Sequence, residues 1–86
     1  MGSELMPLGD KGVIAVNRIL VVASPNSAPI KRVVNRAREE GLVVNMTYGW
    51  KVESVILLDS GHIVLAPFGP GEIVERLRDW REGGST

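Results

Sequence analysis

The sequence predicts an α+β domain, a small β-rich sheet carrying two short helices. Three observations predict it. Short runs of β-branched residues recur along the chain, two other stretches repeat their apolar residues at helical spacing, and 86 residues leave room for one domain.

Val13-Ile14-Ala15-Val16 and Ile19-Leu20-Val21-Val22-Ala23 read as the first two strands, with Asn17-Arg18 as a turn or bulge between them. Ser24-Pro25-Asn26-Ser27 breaks the sheet and leads into a helix. Ser27 suits the N-cap, and Pro29 suits the first turn, where its missing N–H removes nothing. Ile30, Val33, Val34 and Ala37 then form one apolar stripe, and Gly41 ends the helix at the C′ position. Lys31, Arg32, Arg36 and Arg38 fall on the other arc and are expected to face outward.

Leu42-Val43-Val44 opens a third strand and Ser54–Asp59 a fourth, which turns at Ser60-Gly61 into a fifth, His62–Ala66. The last two are nearly continuous in apolar residues. That predicts burial on both faces, with the helices on one side and a neighbouring subunit on the other. Pro70 opens a second helix, whose stripe is Ile73, Val74, Leu77 and Trp80, with Glu72 and Arg76 as an i, i+4 pair. The order of the strands in the sheet is not encoded in any local signal. The domain is expected over residues 8–80, with 1–7 and 81–86 as terminal tails.

Composition narrows the function. Scaling predicts that such a chain buries roughly 63% of its unfolded surface, a marginal core. With no cysteine there is no disulfide framework, thiolate metal site or cysteine nucleophile, and the single histidine, His62, offers little to a metal. No cofactor and no metal are expected. No apolar run reaches membrane-spanning length and the N-terminus has no signal-peptide pattern, so the expected location is the cytoplasm, away from any membrane. Net charge is zero, yet Lys11, Arg18, Lys31, Arg32, Arg36 and Arg38 follow one another with no acid between them. From Glu39 onward acids outnumber bases by eight to four. Charge of one sign gathered on one face attracts polyanions even in a neutral chain, although a basic helix face is more often simply solvated.

Catalytic patterns are weak. Asp59, Ser60 and His62 contain the residue types of a hydrolytic triad, but they sit within one hairpin, where alternating side chains are not expected to converge. Gly9-Asp10-Lys11-Gly12 lacks the spacing of a phosphate loop, and no small-molecule substrate is expected. Trp50, between Tyr48-Gly49 and Lys51, reads first as packing in a core or subunit contact, and second as a loop touching a partner.

Longer motifs then come into view. Asn17-Arg18-Ile19, Ser24-Pro25-Asn26-Ser27-Ala28-Pro29-Ile30-Lys31-Arg32 and Ala37-Arg38-Glu39-Glu40-Gly41 resemble the bacterial extracellular-matrix regulatory protein family, the RemA-like proteins. Thr47-Tyr48-Gly49, Val55–Ser60, His62, Pro70 and Arg76-Leu77 continue the likeness, over roughly residues 8–78. The resemblance implies a transcriptional regulator that binds double-stranded DNA as a ring-shaped homo-oligomer, with an octamer assumed. It also implies a LytTR-like sheet and control of biofilm-matrix or osmoprotection genes. The DNA contacts it implies are an arginine at the first strand-to-strand corner, here Arg18, and basic residues in the loop after Tyr-Gly. In that loop the family pattern of two adjacent arginines and a further base is replaced by Trp50, Lys51 and Glu53, so only Lys51 keeps its charge. The DNA-binding set expected is therefore Arg18, Lys31, Arg32 and Lys51. If Arg18, Arg32 and Lys51 each neutralise a phosphate, one subunit has a salt slope of only about −2.7, so a ring that repeats the set would be needed for useful affinity. The alternative is an oligomeric interaction module that has lost DNA binding, for which Trp50 and Glu53 speak. An enzyme is a distant third.

Overall fold

A computed structural model describes residues 4–8 and 12–83. Leu5–Pro7 (β1) and Val13–Ala15 (β2) pair antiparallel with Met6 opposite Ile14, and a 3₁₀ turn, Val16–Arg18, leads into Ile19–Ala23 (β3). Ala28–Glu39 (α1), Val43–Asn45 (β4), Ser54–Leu58 (β5), Ile63–Ala66 (β6) and Pro70–Gly83 (α2) follow.

Local signals act as expected in the middle of the chain. The Ser27 hydroxyl accepts a hydrogen bond from the Ile30 amide at 3.3 Å and so caps α1. At the other end the Leu42 amide donates to the Ala37 carbonyl at 2.8 Å and the Gly41 amide to Arg38 at 3.1 Å, a Schellman closure. Gly41 adopts φ +73°, where a glycine lacks the Cβ penalty. Gly61, at φ +91°, turns β5 into β6.

The main sheet runs β3-β5-β6-β4. β3–β5 and β5–β6 are antiparallel and β4–β6 is parallel. β3 and β4 therefore point the same way and form a β-α-β unit through α1, with the β5–β6 hairpin seated between them. This pairing joins strands distant in sequence, which is why no local signal carried it. A bulge between Ile19 and Val21 leaves Leu20 66% exposed on the edge strand β3.

Side-chain alternation in β5 and β6 divides the core in two. Val55, Ile63 and Leu65 pack under Val34 and Ala37 of α1. Ile56, Val64 and Ala66 face the other way, onto Met6, Leu8 and Ile14 of the hairpin and Ile73 of α2. The sheet is thus buried on both faces within one chain. The expectation that both helices share one face and a subunit covers the other is corrected: α1 and α2 lie on opposite faces, and the N-terminal hairpin joins α2. That hairpin was missed because β1 has three residues and ends in Pro7; its place depends on burying Met6, not on any strand pattern. The fold begins before residue 8 and α2 continues past residue 80. Met1–Ser3, Gly9–Lys11 and Gly84–Thr86, which include parts of the expected tails and Lys11 of the basic run, lie outside the described residues. Among the described residues no helix is long and apolar enough to cross a membrane.

Candidate nucleic-acid interface

The basic residues of α1 divide into two sets once the helix is seated. With Val34 and Ala37 turned into the sheet, Lys31, Asn35 and Arg38 recur at i, i+4 and i+7 along one flank of the buried stripe. Together they wall a groove of about 240 Å³, floored by Val34, Val55 and Leu65 and closed by Val52 from the loop before β5. Arg32 and Arg36 lie on the solvent-facing arc instead, both exposed. Val33, counted with the apolar stripe from its spacing, sits at the stripe's edge and is exposed. Among the described residues none of Lys31, Arg32, Arg36 and Arg38 has a carboxylate partner. Both arginines of the middle of α2 do: Arg76 binds Glu72 at 3.1 Å and lies 3.9 Å over the Phe68 ring, and Arg78 binds Glu75 at 3.6 Å.

Lys51 belongs to the same end of the molecule, because the loop that carries it also sends Val52 into the groove. This loop is braced from its base. The Asn45 side chain accepts from the Thr47 amide at 2.9 Å and from the Thr47 hydroxyl at 2.6 Å, and the Trp50 amide closes a turn on the Thr47 carbonyl at 3.0 Å. Both central residues of that turn have positive φ, Tyr48 at +52° and Gly49 at +94°. A tyrosine in that region is an outlier held by its surroundings. Gly12 packs closely on the residue that precedes this turn: a Cβ there would run into the Met46 methyl group. The turn displays Trp50 with 76% of its surface exposed. Of the first expectation for this residue, packing in a core or in a subunit contact, the core half is corrected: the flanking turn leaves the indole outside both cores of the chain.

Arg18 lies elsewhere. It ends the 3₁₀ turn, its carbonyl accepts from the Asp59 amide at 2.8 Å, and its Nη1 reaches the Asp59 carboxylate at 3.4 and 3.5 Å. Asp59 follows the last residue of β5, whereas the loop carrying Lys51 leads into the first, and the strand's two ends are about 13 Å apart. The expected set thus falls into two places: Lys31 lines the groove that the Lys51-bearing loop closes, with Arg32 on the same helix, and Arg18 stands at the other end of β5. Arg38 and Asn35 join the first group although they were not singled out, and the signal was their spacing from Lys31. Asp59 was read only as a turn residue, since its pairing with Arg18 spans 41 positions.

Two of the three residues weighed as a triad do meet. Ser60 Oγ lies 2.8 Å from His62 Nδ1, and the same hydroxyl accepts from the His62 amide at 3.4 Å. Asp59 is turned to Arg18, so this exposed pair lacks the orienting carboxylate and works as a turn closure. No three metal-ligating side chains gather among the described residues.

Comparison with known proteins returns one family. The model of the RemA-like family, described as extracellular matrix regulatory protein A-like, matches residues 5–77. A protein of Alkaliphilus oremlandii named "Putative regulatory protein" is 43% identical over 77 residues, covering 90% of this chain and 83% of its own. A Dehalococcoides mccartyi protein bearing the same description is 44% identical over 80 residues, 93% of this chain and 83% of its own. A third, from Bacillus cereus, is 40% identical over 82 residues and is covered to 94% of its length, with 95% of this chain aligned.

Proposed function

The chain belongs to the RemA-like family, and from that premise we propose that it is a DNA-binding transcriptional regulator acting as a ring-shaped homo-oligomer. Its relatives carry the name of regulatory proteins, and the genes we propose for this chain's control are those of biofilm matrix or osmoprotection. The observation that carries the reading is the row of α1 cations without carboxylate partners among the described residues, Lys31, Arg32, Arg36 and Arg38. Cations that the fold does not neutralise remain available to phosphates, and Lys51 stands beside them.

A phosphate binder of this kind reads sequence chiefly through duplex shape and bending, because contacts to backbone carry no base information. The split between Arg18 and the α1 end also favours assembly. One subunit offers two small basic regions at opposite ends of its sheet, while a ring repeats both around its rim and multiplies weak contacts into avidity. Leu20 and Val21 on the edge strand β3, and Leu5 and Val13 on the outer side of the hairpin, are exposed apolar residues suited to subunit contacts.

A second reading has its own observation. Trp50 and Glu53 are both exposed in the loop where the resemblance implies bases, which suits an oligomeric module that binds another protein. Fluorescence polarisation of an AT-rich duplex of promoter length, titrated with salt, decides between them, with analytical ultracentrifugation on the same sample. Binding that collapses steeply with salt supports the regulator. An intact ring without DNA affinity, gained only in the Trp50→Arg, Glu53→Arg double variant, supports the interaction module.

A further inference from the structure

We propose that Trp50 is an apolar wedge that enters the minor groove of duplex DNA and opens a base step, bending the duplex at that point. The inference rests on the DNA-binding reading above and adds a contact that no phosphate-binding cation supplies.

An exposed tryptophan is a large apolar surface, on the order of 150–250 Å², left in water. Here it is 76% exposed, while the chain's other tryptophan, Trp80, packs against the core beneath α2. Trp50 does not reach solvent by looseness of its segment. The Asn45–Thr47 hydrogen bonds, the Thr47–Trp50 turn and the positive φ at Tyr48 and Gly49 hold the loop in one shape. Thr47 and Met46 at its base are buried. A side chain displayed on a braced turn loses little conformational freedom when it inserts.

The surroundings name the partner. Lys51 adjoins the indole in sequence, and Val52 joins the loop to the groove walled by Lys31 and Arg38. Lys51 and Glu53 are the charged residues that follow Trp50 in this loop, and the adjoining groove adds the Lys31 and Arg38 cations. An apolar plate on the loop that closes a groove walled by cations fits a ligand that combines flat apolar faces with anions, which is a nucleic acid. Proteins that enter the minor groove use apolar wedges in this way, unstacking a step while neighbouring bases hold phosphate. Pyrimidine–purine steps, which open most readily, should be preferred.

The test uses the full-length protein carrying Trp80→Phe, so that Trp50 is the single indole, and a duplex with a central TA step labelled for end-to-end energy transfer. Insertion predicts saturable quenching of Trp50 emission, reduced acrylamide access and a shorter end-to-end distance. Trp50→Ala should lower affinity about tenfold, in the range for loss of one base-stacking contact, and abolish the bend. Its salt slope should stay unchanged, because no phosphate contact is lost. Binding that leaves Trp50 emission untouched, or that Trp50→Ala does not weaken, overturns the wedge and leaves the DNA-binding reading standing. No binding by the native protein overturns both. A blue shift of Trp50 emission that follows protein concentration, with no further change on adding DNA, assigns the indole to a subunit contact and overturns the wedge.

Discussion

The two helices are close in length, 12 residues against 14, and each lays one apolar stripe on the same sheet, yet they treat charge in opposite ways. On α2 the arginines Arg76 and Arg78 are each matched by an acid one turn earlier, Glu72 and Glu75. On α1, Lys31, Arg32, Arg36 and Arg38 form no ion pair among the described residues. Exposed pairs of the α2 kind add a few tenths of a kcal/mol at most, so they barely matter to stability. Their consequence is electrostatic, since a helix that neutralises itself presents no field to a partner. α1 keeps its field, and its cations near the C-terminus, Arg36 and Arg38, also suit the negative end of the helix dipole. A zero net charge therefore conceals a division of labour in which α2 anchors and α1 displays.

The first way to break that division is through the anchors. Ile73 of α2 is fully buried among the hairpin and sheet residues, so Ile73→Ala should cost about 3 kcal/mol. Val34→Ala on α1 removes fewer groups from a less enclosed site and should cost about 2 kcal/mol. Urea unfolding at one fixed protein concentration measures both. Equal costs, or the reverse order, would mean that α1 is as deeply anchored as α2.

Charge gives the next largest effect. Replacing Lys31, Arg32, Arg36 and Arg38 by Gln should leave the unfolding midpoint nearly unchanged and reduce duplex affinity about a hundredfold in low salt. The salt slope should flatten by about 0.9 for each of the four that reaches a phosphate. The matched change on α2, Arg76→Gln with Arg78→Gln, should move affinity less than about twofold, because those charges are already answered. Equal losses from the two helices would end the contrast.

This contrast was partly legible in the chain. The α1 boundaries were, because Ser27, Pro29 and Gly41 act on their own neighbours, and so was the β5–β6 hairpin at Ser60-Gly61. The excess of bases before Glu39 was plain as well. Which bases converge was not, since Lys31 and Arg38 meet Val52 only after the sheet has assembled. The strand order, the pairing of β1 and the link from Arg18 to Asp59 depend likewise on contacts between distant segments. A core place for Trp50 fails for a different reason: composition favours burying an indole, and the backbone of Thr47–Trp50 leaves it exposed on the single chain.

Arg18 sharpens the comparison because it combines both habits. It is exposed like the α1 bases and paired like those of α2, with Asp59 at 3.4 Å. Asp59→Asn should release the guanidinium, raise duplex affinity about threefold and steepen the salt slope by up to about 0.9. Stability should fall by less than about 1 kcal/mol, because the pair is solvent-screened. Polarisation titrations at several salt concentrations read both quantities. Unchanged affinity would place Arg18 outside the DNA contact and leave the α1 end to carry it.

The smallest effect concerns how completely the α2 side is built. Ser54 opens β5 and shares the face of Ile56 and Leu58, turned toward the hairpin and α2. It is fully buried, and its hydroxyl has no hydrogen-bond partner among the described residues. A buried hydroxyl without a partner gives up its bonds to water and receives nothing in return. Ser54→Ala removes that burden and keeps the β-carbon, so stability should rise slightly, by about 1 kcal/mol at most, with DNA affinity unchanged. Thermal or urea unfolding of the two proteins at matched concentration measures it. A clear loss of stability would mean that the hydroxyl finds a partner outside the described residues, as a neighbouring subunit would supply. In that case the face that α2 anchors would also take part in subunit contact, and the separation between the two helices would be narrower than one chain suggests.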